Sequence, residues 1–144
     1  YRLVGSEMCI RDSYASLACA DFPTCQGSYL PEMDFKSGFN LNQEVGPNYL
    51  YGLLDNPARV AIHYSHRVSA LIVALIFLIL MSRLWFSDAA PLASTLGILL
   101  ITQITLGIIN VVYVLPLYVA IAHNLVAACL LLATFTVNYL AWKK

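Results

Sequence analysis

Charge is what this sequence has least of. Only 11% of its 144 residues are Asp, Glu, Lys or Arg, against about 25% in an ordinary soluble domain. Eight basic and eight acidic residues cancel to a formal net charge of zero, so there is no basic footprint for nucleic acid and no acidic tail. Nucleic-acid binding is set aside on that ground. Seven glycines and six prolines are too few for a fibrous repeat or a low-complexity tract, and the sequence carries no internal repeat. It also lacks a phosphate-cradling glycine loop, a zinc-ligand spacing and a Ser-His-Asp arrangement.

What fills the chain is apolar: 60% of it is hydrophobic and the mean hydropathy is +0.72. A chain this short cannot bury so much apolar surface in one core, so the surplus faces lipid. Three blocks reach the roughly 20 residues that a membrane-spanning helix needs. They run from about Val60 to Trp85, Leu92 to Leu115 and Leu117 to Trp142. Asp55 or Asn56 can cap the first, with Pro57 in its opening turn, while Pro91 and Pro116 open the second and third. The connections near Ser87 to Ala90 and Val114 to Pro116 are short, which makes consecutive helices antiparallel neighbours. The competing reading, buried helices of a soluble all-helical core, suits runs shorter than these. The expected fold is an all-α integral membrane protein with three complete transmembrane helices, preceded by a long extracytoplasmic loop.

Orientation follows from the basic residues. Arg83 ends the first block and Lys143 and Lys144 end the third, so the positive-inside rule puts those ends in the cytoplasm, or in the matrix of a mitochondrion. The segment before Asn56 then lies outside, with Asp21, Glu32, Asp34, Glu44 and Asp55 against Lys36 alone. From about Ala18 to Asn56 it shows neither helical nor strand periodicity over a useful length. Phe22, Tyr29, Phe35, Phe39, Tyr49 and Tyr51 argue for an ordered cap on the membrane surface; a plain interfacial connector is the other reading. Residues 1–12 (YRLVGSEMCIRD) have no apolar h-region and are not a signal peptide. They resemble translated sequencing-adapter sequence, so they are expected to be non-native, and Cys9 is left out of any cysteine argument. The division expected is thus 1–12 non-native, 13–56 the end of a preceding helix plus the cap loop, and 57–144 the three-helix membrane part.

All three histidines fall in the membrane blocks: His63 and His66 in the first, His123 in the third. Ionisable residues there are costly and mark function by default. His66 lies nine residues past Pro57 and His123 seven past Pro116, roughly 14 Å and 11 Å into their helices. Both helices enter from the outer face, so the two imidazoles reach about the same level. Ser69, Ala70 and Ala74 share a face with His66, and Ala120 and Ala127 share one with His123. Two imidazoles at one depth among small residues suit axial ligation of haem iron. Alternatively, the small residues let helices pack and the histidines hydrogen-bond across them. His63, three residues before His66, shares its face within about 60° and is also placed to ligate; level matching favours His66 and leaves His63 at the ring edge. Arg67 must snorkel to lipid phosphate or find an anion, and a haem propionate is a bidentate partner for it.

Cys19 and Cys25 lie in the outer loop, where oxidation is permitted. A structural disulfide and a reversible thiol pair are both open. Cys129 reads as a small apolar filler.

The runs SYASLACADFPTCQG, PEMDF, GPNYLYGLLDNPARVAIHYSHR, QITLGIINVV and LPLYVAIAHNLVAACLLL resemble the C-terminal half of the haem A synthase family, from about Ser13 onward. The most specific features are His-Arg in an apolar helix, Gln103 to Gly107 in the middle helix, and Ala122-His123-Asn124 in the last. The resemblance implies an inner-membrane protein of two similar four-helix halves, each with a histidine pair for one haem. The family oxidises a ring methyl of haem O to a formyl group, giving haem A. It implies that this half holds haem B as an electron-transfer cofactor, with His66 and His123 as metal ligands; the positions of His63 and Arg67 on the helix would set them beside it. Cys19 and Cys25 match the family's outer-loop cysteine pair, expected as a disulfide.

On this reading the chain is a fragment. The N-terminal half is missing, the family's acidic catalytic residue belongs there, His63 occupies the matching position before His66, and the fragment alone is expected to be inactive. Partners implied are the lipid bilayer, the missing half, a haem O synthase, an electron donor and a second copy of the chain. The location implied is a bacterial plasma membrane or mitochondrial inner membrane. Two rival functions are a non-catalytic haem-binding electron-transfer subunit, similar to cytochrome b, and a transporter piece whose histidines line a proton path.

Overall fold

The computed structural model describes residues 15–40, 54–87 and 89–143. The expectation for residues 1–12, and the aromatic residues Tyr49 and Tyr51, lie outside that set. Among the described residues the regular structure is all helical: a single 3-10 turn at Ala15–Leu17, a short helix α1 (Phe35–Gly38), and three long helices, α2 (Asn56–Trp85), α3 (Ala90–Val112) and α4 (Leu117–Trp142). At 1.5 Å per residue the long helices measure about 45, 35 and 39 Å, more than the roughly 30 Å hydrocarbon core of a bilayer. All three are long and apolar enough to cross a membrane.

The helix ends follow proline chemistry. Pro57 and Pro91 are each the second residue of their helix, where a missing N–H costs nothing. The first helix therefore begins at Asn56, four residues before its apolar run, with the Ala58 and Arg59 amides donating to the carbonyl of Asp55. Helix α3 ends at Val112, short of the Leu115 expected from apolar content. Pro116 bars the α region to the residue before it, and Val114 and Leu115 take φ of 55° and 62°. Left-handed backbone is strained at a β-branched residue, and here it makes the sharp connection. Hydroxyls inside the long helices turn back on their own carbonyls, as Ser65 does to Ala61, Thr102 to Ile98 and Thr134 to Leu130. That satisfies them where lipid offers no partner.

The chain divides into two compact units. The first takes the described residues up to Ser69 together with Val111–Leu115; the second takes Ala70–Asn110 and the chain from Pro116. In the first, Ala15, Leu54, Ala58 and Ile62 form one buried cluster, and Cys19, Cys25 and Val60 form another with Ala18 and Met33 against it. In the second, Leu96, Leu130 and Val137 are the buried centre, surrounded by Phe77, Leu80, Met81, Leu84 and Leu92 among others. Elsewhere the long helices present Leu and Ile outward, as at Leu71, Ile98 and Leu132.

The described part of the loop packs on α2, and its aromatics are not what it buries. Phe22, Tyr29, Phe35 and Phe39 are all exposed. Small residues make the contact instead. A Cβ built on Gly38 would stand 2.8 Å from the Ala58 carbonyl oxygen, so only glycine lets α1 lie this close to α2. The Asp34 amide donates to the Pro57 carbonyl (3.1 Å), and the Asp34 carboxylate caps α1 by accepting from the Ser37 amide and hydroxyl.

Candidate functional site

In the first unit the polar chemistry gathers where α2 meets the loop. Cys19 and Cys25 form a disulfide with Cα atoms 4.7 Å apart, and both are fully buried. The tip of the loop is pinned by Asp21, whose carboxylate accepts from the Thr24 hydroxyl (2.6 Å) and the Gln26 and Gly27 amides (2.7 and 2.9 Å). Those bonds, the Thr24 hydroxyl foremost, hold its pKa down at about 2, from 3.8. The same effect, led by the Ser37 hydroxyl, lowers Asp34. Gln26 and Gly27 take φ of 54° and 75°, which turns the chain so that Cys25 and Ser28 exchange backbone hydrogen bonds.

Arg67 reaches into this loop from α2. Its Nη1 donates to the Thr24 carbonyl (2.7 Å), and its Nη2 donates to the carbonyls of Asp21 (2.8 Å) and Cys19 (3.3 Å). The guanidinium carbon also stands 5.7 Å from the centroid of the Phe22 ring, within cation–π range. The structure thus gives Arg67 the disulfide loop as a partner. Its Nε is buried and lacks a hydrogen-bond partner.

His63, one turn before Arg67, is buried, and its Nδ1 lies 3.0 Å from the Ala15 carbonyl oxygen. A carbonyl only accepts, so Nδ1 carries the proton and Nε2 the lone pair. His66 stands half-buried on the same helix in the same unit.

His123 belongs to the second unit. The Nε2 of its ring lies 3.1 Å from the amide nitrogen of Gln103 on α3, and a Cβ built on Gly107 would stand 3.3 Å from the ring's Cε1. Gln103 and Gly107 are four apart and share a face of α3. The glycine leaves the room that the imidazole occupies. An axial ligand of haem must be a neutral imidazole with one nitrogen lone pair available. An amide N–H only donates, so Nε2 of His123 carries the ring's lone pair and accepts from Gln103, which is the donor atom that a haem iron would use. Among the described residues there is no cluster of three or more His, Cys, Asp or Glu that could hold a metal ion by itself.

Of the residues singled out from sequence, the structure brings Cys19, Cys25, His63 and Arg67 together in the first unit, and sets His123 in the second. It adds Asp21, Gly38 and the Ala15 carbonyl to the first group and makes Gln103 a direct neighbour of His123. The i, i+4 spacing of Gln103 and Gly107 was the only sequence signal for that neighbour.

The family described as cytochrome oxidase assembly protein, COX15-CtaA, matches residues 8–135. A curated relative from Shewanella oneidensis, "Heme A synthase", is 42% identical over 133 residues, which cover 92% of this chain and 40% of that protein. The chain therefore spans about two-fifths of the length of the relative it matches. No solved structure matches it.

Proposed function

The chain belongs to the COX15-CtaA family, and from that premise we propose that it serves haem A synthesis as the haem B-holding part of a membrane oxidoreductase that converts haem O to haem A. The single observation that carries this is the 42% identity to a haem A synthase along nearly the whole chain, with His66 and His123 inside the matched stretch. In this reading His66 and His123 would hold the haem through their ring nitrogens. The pairing is argued from their matching depth below Pro57 and Pro116 and from the family resemblance. Haem B held there would supply electron transfer.

The chain's own residues would do the following. His123 offers Nε2 from α4, and Gly107 makes room for its ring. His63 donates to the Ala15 carbonyl and so fastens the outer loop to the helix that carries His66. Arg67 holds the disulfide loop over the same helix end. The loop lies on the outer face of a bacterial plasma membrane or mitochondrial inner membrane, and the end after Trp142 on the cytoplasmic or matrix side, because Arg83 and Lys143 mark that side as positive. The electron donor, a haem O synthase and a second copy of the chain are the partners proposed.

Complementation tests the reading. A host lacking its own haem A synthase, supplied with the full gene that contains this sequence, should regain haem A in extracted membranes. Haem B bound without any haem A would instead make the protein an electron carrier. Membranes in which the protein carries no haem at all would sink both readings.

A further inference from the structure

We propose that Gln103 is the positioning residue of His123: its side-chain amide fixes which nitrogen of the imidazole carries the proton and aims the ring, and it yields Nε2 when a metal takes that nitrogen. The inference deepens the haem reading, but its observations come from the second unit alone.

Two of them converge. The Gln103 amide nitrogen and the His123 Nε2 are 3.1 Å apart across a sequence separation of 20. A primary amide nitrogen has no lone pair to offer, so the ring nitrogen must accept and the proton of the neutral ring must sit on Nδ1. Turning the amide over would place its carbonyl oxygen against the ring and demand the opposite tautomer, with Nε2 protonated and closed to a metal. Second, Gly107 lies one turn further along the same face of α3, where any Cβ would press on Cε1 at 3.3 Å. Gln103 therefore holds one end of the ring, and the absence of a side chain at Gly107 makes room for its edge.

The consequence is a ligand set up before its cofactor arrives. An imidazole left to itself in an apolar helix exchanges between two tautomers, and only one of them presents Nε2. With the amide in place the ring stays in the usable form and orientation. Loading then exchanges one Nε2 partner for another without a proton having to move between the ring nitrogens.

The tautomer is directly measurable. The full-length protein, labelled with 15N-histidine and prepared free of haem at a pH of about 9, where unperturbed imidazoles are neutral, should give a His123 signal with Nε2 in the unprotonated range and Nδ1 in the protonated range. His123→Ala assigns the signal by its loss. Gln103→Leu, similar in volume but with no donor, should shift the pattern toward Nε2–H. A wild-type ring protonated on Nε2 overturns the proposal, and so does a Gln103→Leu spectrum identical to wild type. If Gln103→Leu does not fold, the wild-type spectrum decides alone. Adding haemin afterwards keeps the two readings apart: failure of His123 to bind iron would reject the haem assignment and leave the tautomer result standing.

Discussion

His63 and Ala15 are 48 residues apart in sequence, yet the imidazole Nδ1 lies 3.0 Å from the alanine carbonyl oxygen. That bond ties the start of the described chain to the helix that also carries His66 and Arg67. It gives His63 a use as a fastener, with the Nδ1–H engaged outward to the loop. On the proposed function His66, three residues further along the same helix, would hold haem while His63 holds the loop.

The histidines should separate accordingly. In the full-length protein, His66→Ala and His123→Ala should each turn the low-spin bis-histidine absorption spectrum high-spin, or lose haem from this half. His63→Ala should keep the low-spin spectrum and instead speed amide exchange around Ala15 to Ala18. Loss of the low-spin signal in His63→Ala together with its survival in His66→Ala would transfer the ligand role to His63.

Arg67→Lys should loosen the disulfide loop although it keeps the charge. Lysine presents a single ammonium where the guanidinium fork reaches four carbonyls, that of Pro23 at 3.5 Å, and hydrogen bonds to charged groups contribute about 1.5–3 kcal/mol when desolvated. Arg67 is only partly buried, so a loss of about 1–2 kcal/mol is expected after screening. The check is the rate at which a mild reductant opens Cys19–Cys25, which should rise about tenfold.

Gly38→Ala should detach α1 from α2. The new methyl would meet the Ala58 carbonyl oxygen at 2.8 Å, and the obstacle is backbone that cannot step aside cheaply. A cost of about 1–3 kcal/mol is expected for forcing an extra methyl into such a contact. Limited proteolysis between Pro31 and Asn40 reads it, and unchanged protection would show that α1 can shift without cost.

Acid should undo the loop tip in a defined window. The Asp21 carboxylate has its pKa lowered from 3.8 to about 2, so the folded loop favours the ionised form. The depressed value means that its contribution is complete above about pH 4 and is lost as pH falls through about 2. Amide exchange at Gln26 and Gly27, corrected for intrinsic rates, should accelerate across that interval in the wild type. In Asp21→Asn the same amides should exchange faster at neutral pH and show no such step.

The three long helices were legible because lipid imposes an unmistakable rule on sequence: apolar residues without interruption, with proline at the openings. Helix α4 ran over the expected residues, and α3 stopped early because Pro116 governs the backbone of the residue before it, which apolar content does not register. The loop was legible only as aromatic and irregular. Its contacts are made by Ala15, Gly38 and a set of carbonyl oxygens, and a carbonyl leaves no trace in the residue type. The neighbour of His123 was hidden for another reason. Gln103 and His123 sit on different helices, and which faces meet depends on how two nearly uniform apolar surfaces pack.

Arg67 makes its hydrogen bonds to the disulfide loop through main-chain oxygens alone. Every residue type carries that oxygen, so these bonds measure the path of the chain and are indifferent to the side chains along it. The specification is then a length. Replacing Ala20 leaves the acceptors where they are, whereas inserting or removing one residue between Cys19 and Cys25, which lie six apart, carries the carbonyls of Asp21 and Thr24 out of reach. The loop behaves as a ruler, tolerant of spelling and intolerant of miscounting.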